Sequence, residues 1–206
     1  QVGEDDLVES GLSPIHDPGL ILVRRPNALR IEAGLRPVTV DPELMWAALG
    51  HCLYLSWDRR NGGSGRGHDQ DPDSPLFVGT RPRDRHGALE VVTRVTPGRP
   101  WEAVDGWVAT PFHRQAPMHP GAVAAGACFL PDGTAVMEVE VNWHLAPVVA
   151  IYPTLDQEGV SPAWGGRETP DPLPVSAHPD KTLPVGPTLR VWSRWEPKSA
   201  SVESSR

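Results

Sequence analysis

The order of elements predicts an α+β domain, with helices packed on a mostly antiparallel sheet. Three observations carry this prediction. Residues 41–60 have the start, periodicity and stop of a helix. Residues 122–143 read as two strands around a turn, the second of which alternates apolar and polar side chains. The 24 prolines and 20 glycines of the 206-residue chain point to long ordered loops.

Residues 1–25 are acidic and then punctuated by Pro14, Pro18 and Gly19. They are expected to form an extended arm on the surface, with Leu20 to Val23 as a short strand or docking segment. The helix follows in DPELMWAALGHCLYLSWDRR. Asp41 suits the N-cap and Pro42 the first helical position, which needs no amide hydrogen. Leu44, Ala48, His51, Cys52 and Leu55 recur at three- and four-residue spacing and share one face. Arg59 and Arg60 suit the negative end of the helix dipole, and NGGSGRG then stops the helix.

Residues 68–100 read as irregular. Near Pro100 a second helix is expected in PWEAVDGWVAT, burying Trp101, Val104 and Val108, with Trp107 also in the core. A hairpin follows: AVAAGACFL and TAVMEVEVNW, joined by Pro131-Asp132-Gly133. Ala135, Met137, Val139, Val141 and Trp143 face one side. Glu138, Glu140 and Asn142 face the other, as in a sheet half covered by helices, and the two glutamates are expected on a solvated face. Residues 147–152 and the segment GPTLRVWS supply further strands. The polar residues 196–206 are expected to be disordered. Trp143, Trp164, Trp192 and Trp195 are open to two readings, as core or as an apolar groove.

A net charge of -7 with no basic patch argues against nucleic acid. The arginines at 24–25 and 81–85 read as solvated loop positions. No stretch reaches the roughly 20 apolar residues of a membrane helix. The sequence opens on Gln1 and reads as a mature or trimmed product. Cys52 and Cys128 form either a disulfide, worth about 4 kcal/mol for so long a loop, or two buried thiols. Neither a G-x-S-x-G elbow nor a phosphate loop is present.

Four segments, in order, resemble the bacterial branch of the CAP superfamily (cysteine-rich secretory protein, antigen 5, pathogenesis-related). They are NALRIEAGLRPVTVDPEL, with Asn27, Arg30, Gly34, Leu35 and Pro37; the helix with His51 and Tyr54, followed by His68; AVDGWVATPFHRQAPMHPGAVAAGACF; and YPTLDQEGVSPAWGGRETPDPLP. The resemblance spans roughly residues 27–192. It implies a three-layer α-β-α sandwich with a Pro-rich C-terminal β extension, and a secreted, extracellular or cell-envelope location. The implied layout is an arm (1–25), a CAP-like domain (26–150), the extension (151–195) and a tail (196–206).

The resemblance also implies a cavity of two histidines and two glutamates that binds a divalent metal in some members. By position it gives His68 and His113 as metal candidates and Glu90 as a general base, with His51 and Arg114 beside them in the cavity. The second family glutamate is missing, because Val108, Ala109 and Thr110 follow Trp107. Zinc takes such imidazole and carboxylate ligands, usually three or four of them, but the spacing here matches no ligand motif. Plainer roles stand beside these: His51 as a core histidine against Leu55, His68 as a solvated loop residue, His113 at a helix end, Glu90 on the polar face of a strand, and Arg114 anchoring a carboxylate or a turn. The first functional reading is a non-enzymatic module that binds a small apolar ligand, a peptide or an envelope component. The alternatives are a metal-dependent hydrolase using His68, His113 and Glu90, and a structural subunit of an extracellular assembly.

Overall fold

The computed structural model describes residues 17–85, 87, 89–145, 149–154, 168 and 190–193. The expected disordered tail and most of the extension, including Trp164 and Trp195, lie outside these residues. In chain order the elements are α1 (Pro18–Glu32), β1 (Thr39–Val40), α2 (Pro42–Arg60), a 3-10 turn (Pro82–Arg85), β2 (Leu89–Arg94), α3 (Pro100–Ala109), α4 (Gln115–Met118), β3 (Ala122–Phe129), β4 (Thr134–Val141), β5 (Val149–Tyr152) and β6 (Arg190–Ser193).

The main sheet has the order β1-β3-β4-β2. β1 pairs in parallel with β3, and the other pairings are antiparallel. Because side chains alternate along a strand, the sheet has two distinct faces. Val91, Ala125, Ala127, Ala135, Met137 and Val139 pack with Leu22 and Val23 of α1, Val104 and Trp107 of α3, and Met118 of α4. Cys128 and Val136, from the alternate positions, pack with Ala48, Cys52, Tyr54 and Leu55 of α2. Helices therefore cover both faces, giving the three-layer α-β-α sandwich. This corrects the expectation of a half-covered sheet, and with it the solvated position of Glu138, which is buried. Glu140 is exposed as expected.

α2 has the expected limits, with Asp41 Oδ1 accepting from the Glu43 and Leu44 amides. Its C-terminal turn is tied to the hairpin. Asp132 accepts from Ser56 at 2.6 Å, from Arg59 and from the Thr134 amide at 2.9 Å. Gly133, at φ 86°, lets the chain reverse there. At Gly126 the first turn of α2 lies against β3, and a Cβ there would collide with the Leu44 and Met45 backbone. Within the expected extended arm the chain is already helical from Pro18, capped by Asp17, whose Oδ1 accepts from Gly19 N at 2.8 Å. The short run at Arg24 and Arg25 is the exposed side of this helix rather than a loop.

The family-like Asn27 and Arg30 have structural roles. Asn27 donates to Val38 O and accepts from Val38 N, both at 2.8 Å, so its amide pairs with the backbone as a neighbouring strand would. Arg30 is fully buried, and its guanidinium donates to the carbonyls of Arg36, Pro117, His119 and Ala122. Burial lowers its pKa to about 10, still far above neutrality. Trp107 is core as expected, but Trp101 is 43% exposed. Its place one residue into α3 turns it outward while Ala103, Val104, Trp107 and Val108 face the sheet. β5 and β6 pair as a separate antiparallel ribbon that buries Ala150, Tyr152 and Trp192 against the main core. Trp143 is exposed and meets His119 edge-on.

Candidate functional site

α2 presents His51 to the loop that follows it. The side chain is completely buried. Gln70 Nε2 lies 2.7 Å from His51 Nδ1, and an amide nitrogen only donates, so Nδ1 is the acceptor. The ring proton is therefore on Nε2, which donates to Gly67 O at 3.1 Å. Tyr54, one turn on, stacks with His51 at 5.8 Å between ring centroids and accepts from the Asp71 amide. Gln70 also accepts from the Val78 amide. His51 thus fastens the loop to α2 as a neutral imidazole. Burial lowers its pKa to about 4, against an upward pull from Glu90, whose Oε1 is 3.6 Å from Nε2.

β2 places Glu90 opposite Glu138 of β4 in the ladder, on the face toward α2. Both side chains are 0% exposed. Like charges directly opposite are destabilising, and Arg85 answers this. Its Nη2 donates to Glu90 Oε2 and to His68 O, its Nη1 to Gly79 O at 2.8 Å, and its Nε to Glu138 Oε1 at 3.4 Å. Arg85 is itself 2% exposed, which corrects its reading as a solvated loop residue. The two carboxyl groups divide their roles. Burial pushes Glu138 well up, and the adjacent Glu90 adds to the rise against the opposing pull of Arg85. Burial also acts upward on Glu90, but it is outweighed by the hydrogen bond from His68 and by the adjacent charge of Arg85, which hold Glu90 ionised. One positive and one negative charge are then buried together. The Oε2 of Glu138 has no hydrogen-bond partner among the described residues, which costs far less for a neutral carboxyl than for a carboxylate. Gly87 makes room for it, since a Cβ there would fall on that oxygen.

His68 connects this buried set to solvent. Its Nδ1 is 2.8 Å from Glu90 Oε1, and its side chain is 48% exposed. A carboxylate accepts only, so Nδ1 is the donor, and Nε2 has no partner among the described residues.

His113 belongs to a second set. Between α3 and α4, its Nδ1 lies 2.7 Å from Glu168 Oε1, which also accepts the amides of Phe112 and His113 at 2.7 Å. Thr110 Oγ1 is 3.3 Å from the same ring nitrogen. Glu168 is 0% exposed and His113 28%. Burial acts upward on Glu168, but the hydrogen bonds from the His113 ring and amide and from the Phe112 amide hold its pKa below the usual carboxylate value. Here too Nδ1 is the donor, and Nε2 has no partner among the described residues. Arg114 turns the other way: Nε donates to Val108 O at 2.6 Å, and the guanidinium lies over the Tyr152 ring at 4.9 Å. Its role is to anchor a turn and the ribbon strand.

The structure therefore joins His51, His68 and Glu90, and places His113 with Glu168. No hydrogen bond or ion pair links the two sets among the described residues. Nor do the described residues contain three or more His, Cys, Asp or Glu arranged to hold a metal ion. As arranged, the set does not fit a three-ligand zinc centre: both His51 nitrogens are engaged, and both Glu90 oxygens are taken by His68 and Arg85. Sequence reasoning missed Arg85, Gln70, Glu138 and Glu168. The alternation that places Glu138 on Glu90's side of the sheet was the available signal for one of them.

With this geometry in view, comparison with known proteins gives two resemblances in structure. One is an extracellular protein containing an SCP domain from Bacillus anthracis str. Ames, with TM-score 0.47 and 16% identity, over 61% of this chain and 40% of that one. The other is an outer surface protein of Borrelia burgdorferi, with TM-score 0.44 and 18% identity, over 60% of this chain and 92% of that one. The chain thus spans well under half of the Bacillus protein. No family model and no curated protein sequence matches. Among the described residues, no helix is long and apolar enough to cross a membrane.

Proposed function

We propose that this chain is a secreted bacterial CAP-like module that binds a small ligand, a peptide or a cell-envelope component through His68 and His113. One observation carries the reading. Each imidazole is held through Nδ1 by a fully buried glutamate, and its Nε2 has no partner among the described residues. Such fixing costs the ring its freedom before any ligand arrives, which favours binding by preorganisation. The apolar part of a ligand would lie beside these two polar points. The CAP-like order of motifs in the sequence supports the extracellular assignment.

The test uses purified peptidoglycan sacculi as an envelope probe and a fluorescent fatty acid as an apolar one. The wild type, His68→Ala and His113→Ala are compared by co-sedimentation and by titration. Retention or affinity that falls at least tenfold in either variant supports the reading. No binding of either probe, or equal binding by all three proteins, overturns it. A zinc titration on the same samples reads the hydrolase alternative: stoichiometric zinc lost in both variants would replace the binding module with a metal-dependent one.

A further inference from the structure

The two cysteines face each other across the layer on the other side of the sheet from α1. Cys52 comes from the inner face of α2 and Cys128 from β3, and they share one apolar cluster with Ala48, Leu55 and Val136. Both are free thiols in this structure. Cys52 Sγ donates to Cys128 O at 3.3 Å, so the helix thiol lies directly against the strand residue that carries the other. Their strands and helix are held in place from both sides, by Asp132 with Ser56 at one end and by the backbone contact at Gly126 at the other.

We propose that Cys52 and Cys128 are a disulfide-forming pair whose bond locks α2 onto the β3–β4 hairpin. The bond would fix the helix that carries His51 against the strand that carries Glu138. The oxidant is a low-molecular-weight disulfide. One cysteine thiolate attacks it and releases one thiol, giving a mixed disulfide. The second thiolate then attacks the protein sulfur of that mixed disulfide, forming the internal bond and releasing the second thiol. Two protein thiols are oxidised and one small disulfide is reduced to two thiols. In the folded protein burial, reinforced by the neighbouring Cys128, raises the Cys52 thiol well above its ordinary value. Little thiolate is then available, so the bond forms while the chain folds or opens, and is sheltered afterwards. The inference is independent of the ligand reading above.

The full chain is unfolded under reducing conditions and refolded in a buffer of oxidised and reduced glutathione. It is then unfolded again in the presence of an alkylating agent and weighed by mass spectrometry. The expected product is a monomer lacking two hydrogens, with no alkyl group, and with a melting temperature several degrees above that of the reduced protein. In Cys52→Ala, Cys128 should be alkylated or carry glutathione, and the redox dependence of melting should vanish. Two alkylated cysteines after oxidative refolding, a glutathione adduct on each, or an equal melting shift in Cys52→Ala would each overturn the proposal.

Discussion

His68 and His113 are held alike at the ring and differently behind it. Each donates Nδ1–H to a glutamate with no exposed surface. Glu90 is a sheet residue, placed by ladder register and stabilised by the charge of Arg85 and the proximity of His51. Glu168 comes from beyond the ribbon strand β5, and its Oε1 is stabilised by two successive backbone amides. The first device rests on buried charge and should be costly to break. The second rests on hydrogen bonds to a turn and should yield more gently.

The largest expected effect is Arg85→Ala, which leaves Glu90 ionised and unpaired in the interior. We expect a loss of about 3–5 kcal/mol in chemical denaturation. Glu138→Gln should stay within about 1 kcal/mol, because the native group is already neutral. If the two variants lose equal stability, the division of charge between the carboxyl groups is wrong.

The pH dependence of stability sharpens the same point. The folded-state pKa of His51 is lowered to about 4 from an ordinary 6.5. The folded protein thus favours the neutral ring, and this contribution is full above 6.5. It is lost as pH falls toward 4, a swing of a few kcal/mol. His51→Gln should flatten the profile over that window. Parallel wild-type and variant profiles would rule out a neutral His51. Glu138 has the opposite sign. Its folded pKa is raised, so its contribution is full below the ordinary carboxylate value and declines as pH rises above it. Glu138→Gln should remove that decline.

At the second site, Glu168→Ala removes the acceptor of three hydrogen bonds and should cost about 1–3 kcal/mol. Imidazole nitrogen shifts should change from one tautomer of His113 to a mixture. An unchanged spectrum would mean that Glu168 does not hold the ring. A smaller effect than that of Arg85→Ala is expected of His68→Ala, about 1 kcal/mol, because one hydrogen bond to the buried Glu90 carboxylate is lost while Arg85 stays and the half-exposed position lets water replace the ring. A loss as large as that of Arg85→Ala would make His68 part of the structural network rather than its reachable end.

Sequence patterns made α2, α3 and the hairpin legible because their signals are local: an Asp-Pro start, a run of period 3.6, a Pro-Asp-Gly turn. α1 carries the same Asp-Pro start at Asp17-Pro18. In the sequence it reads as an arm because Pro14, Pro18 and Gly19 crowd its start, whereas Pro18 there is the first helical residue rather than a break. Of the candidate residues, His51, His68 and Glu90 lie together in the structure. Arg85 was not among them, since no local pattern distinguishes an inward arginine from its neighbours in an Arg-rich loop. Glu138 was misplaced because period-2 alternation separates two faces without saying that both are covered. Glu168 acts across 55 residues of sequence, a distance at which a single chain offers no periodicity to read.

Gly126 sits opposite Glu138 in the ladder and touches the first turn of α2. There is no clearance between helix and strand at that point. One added methyl would act as a shim under one end of a lever, with His51 about two turns further along it. The hydrogen bonds that grip the loop would be lifted together, although no residue of the site had changed. The alignment of the imidazole network is thus gauged at a position that bears no functional group.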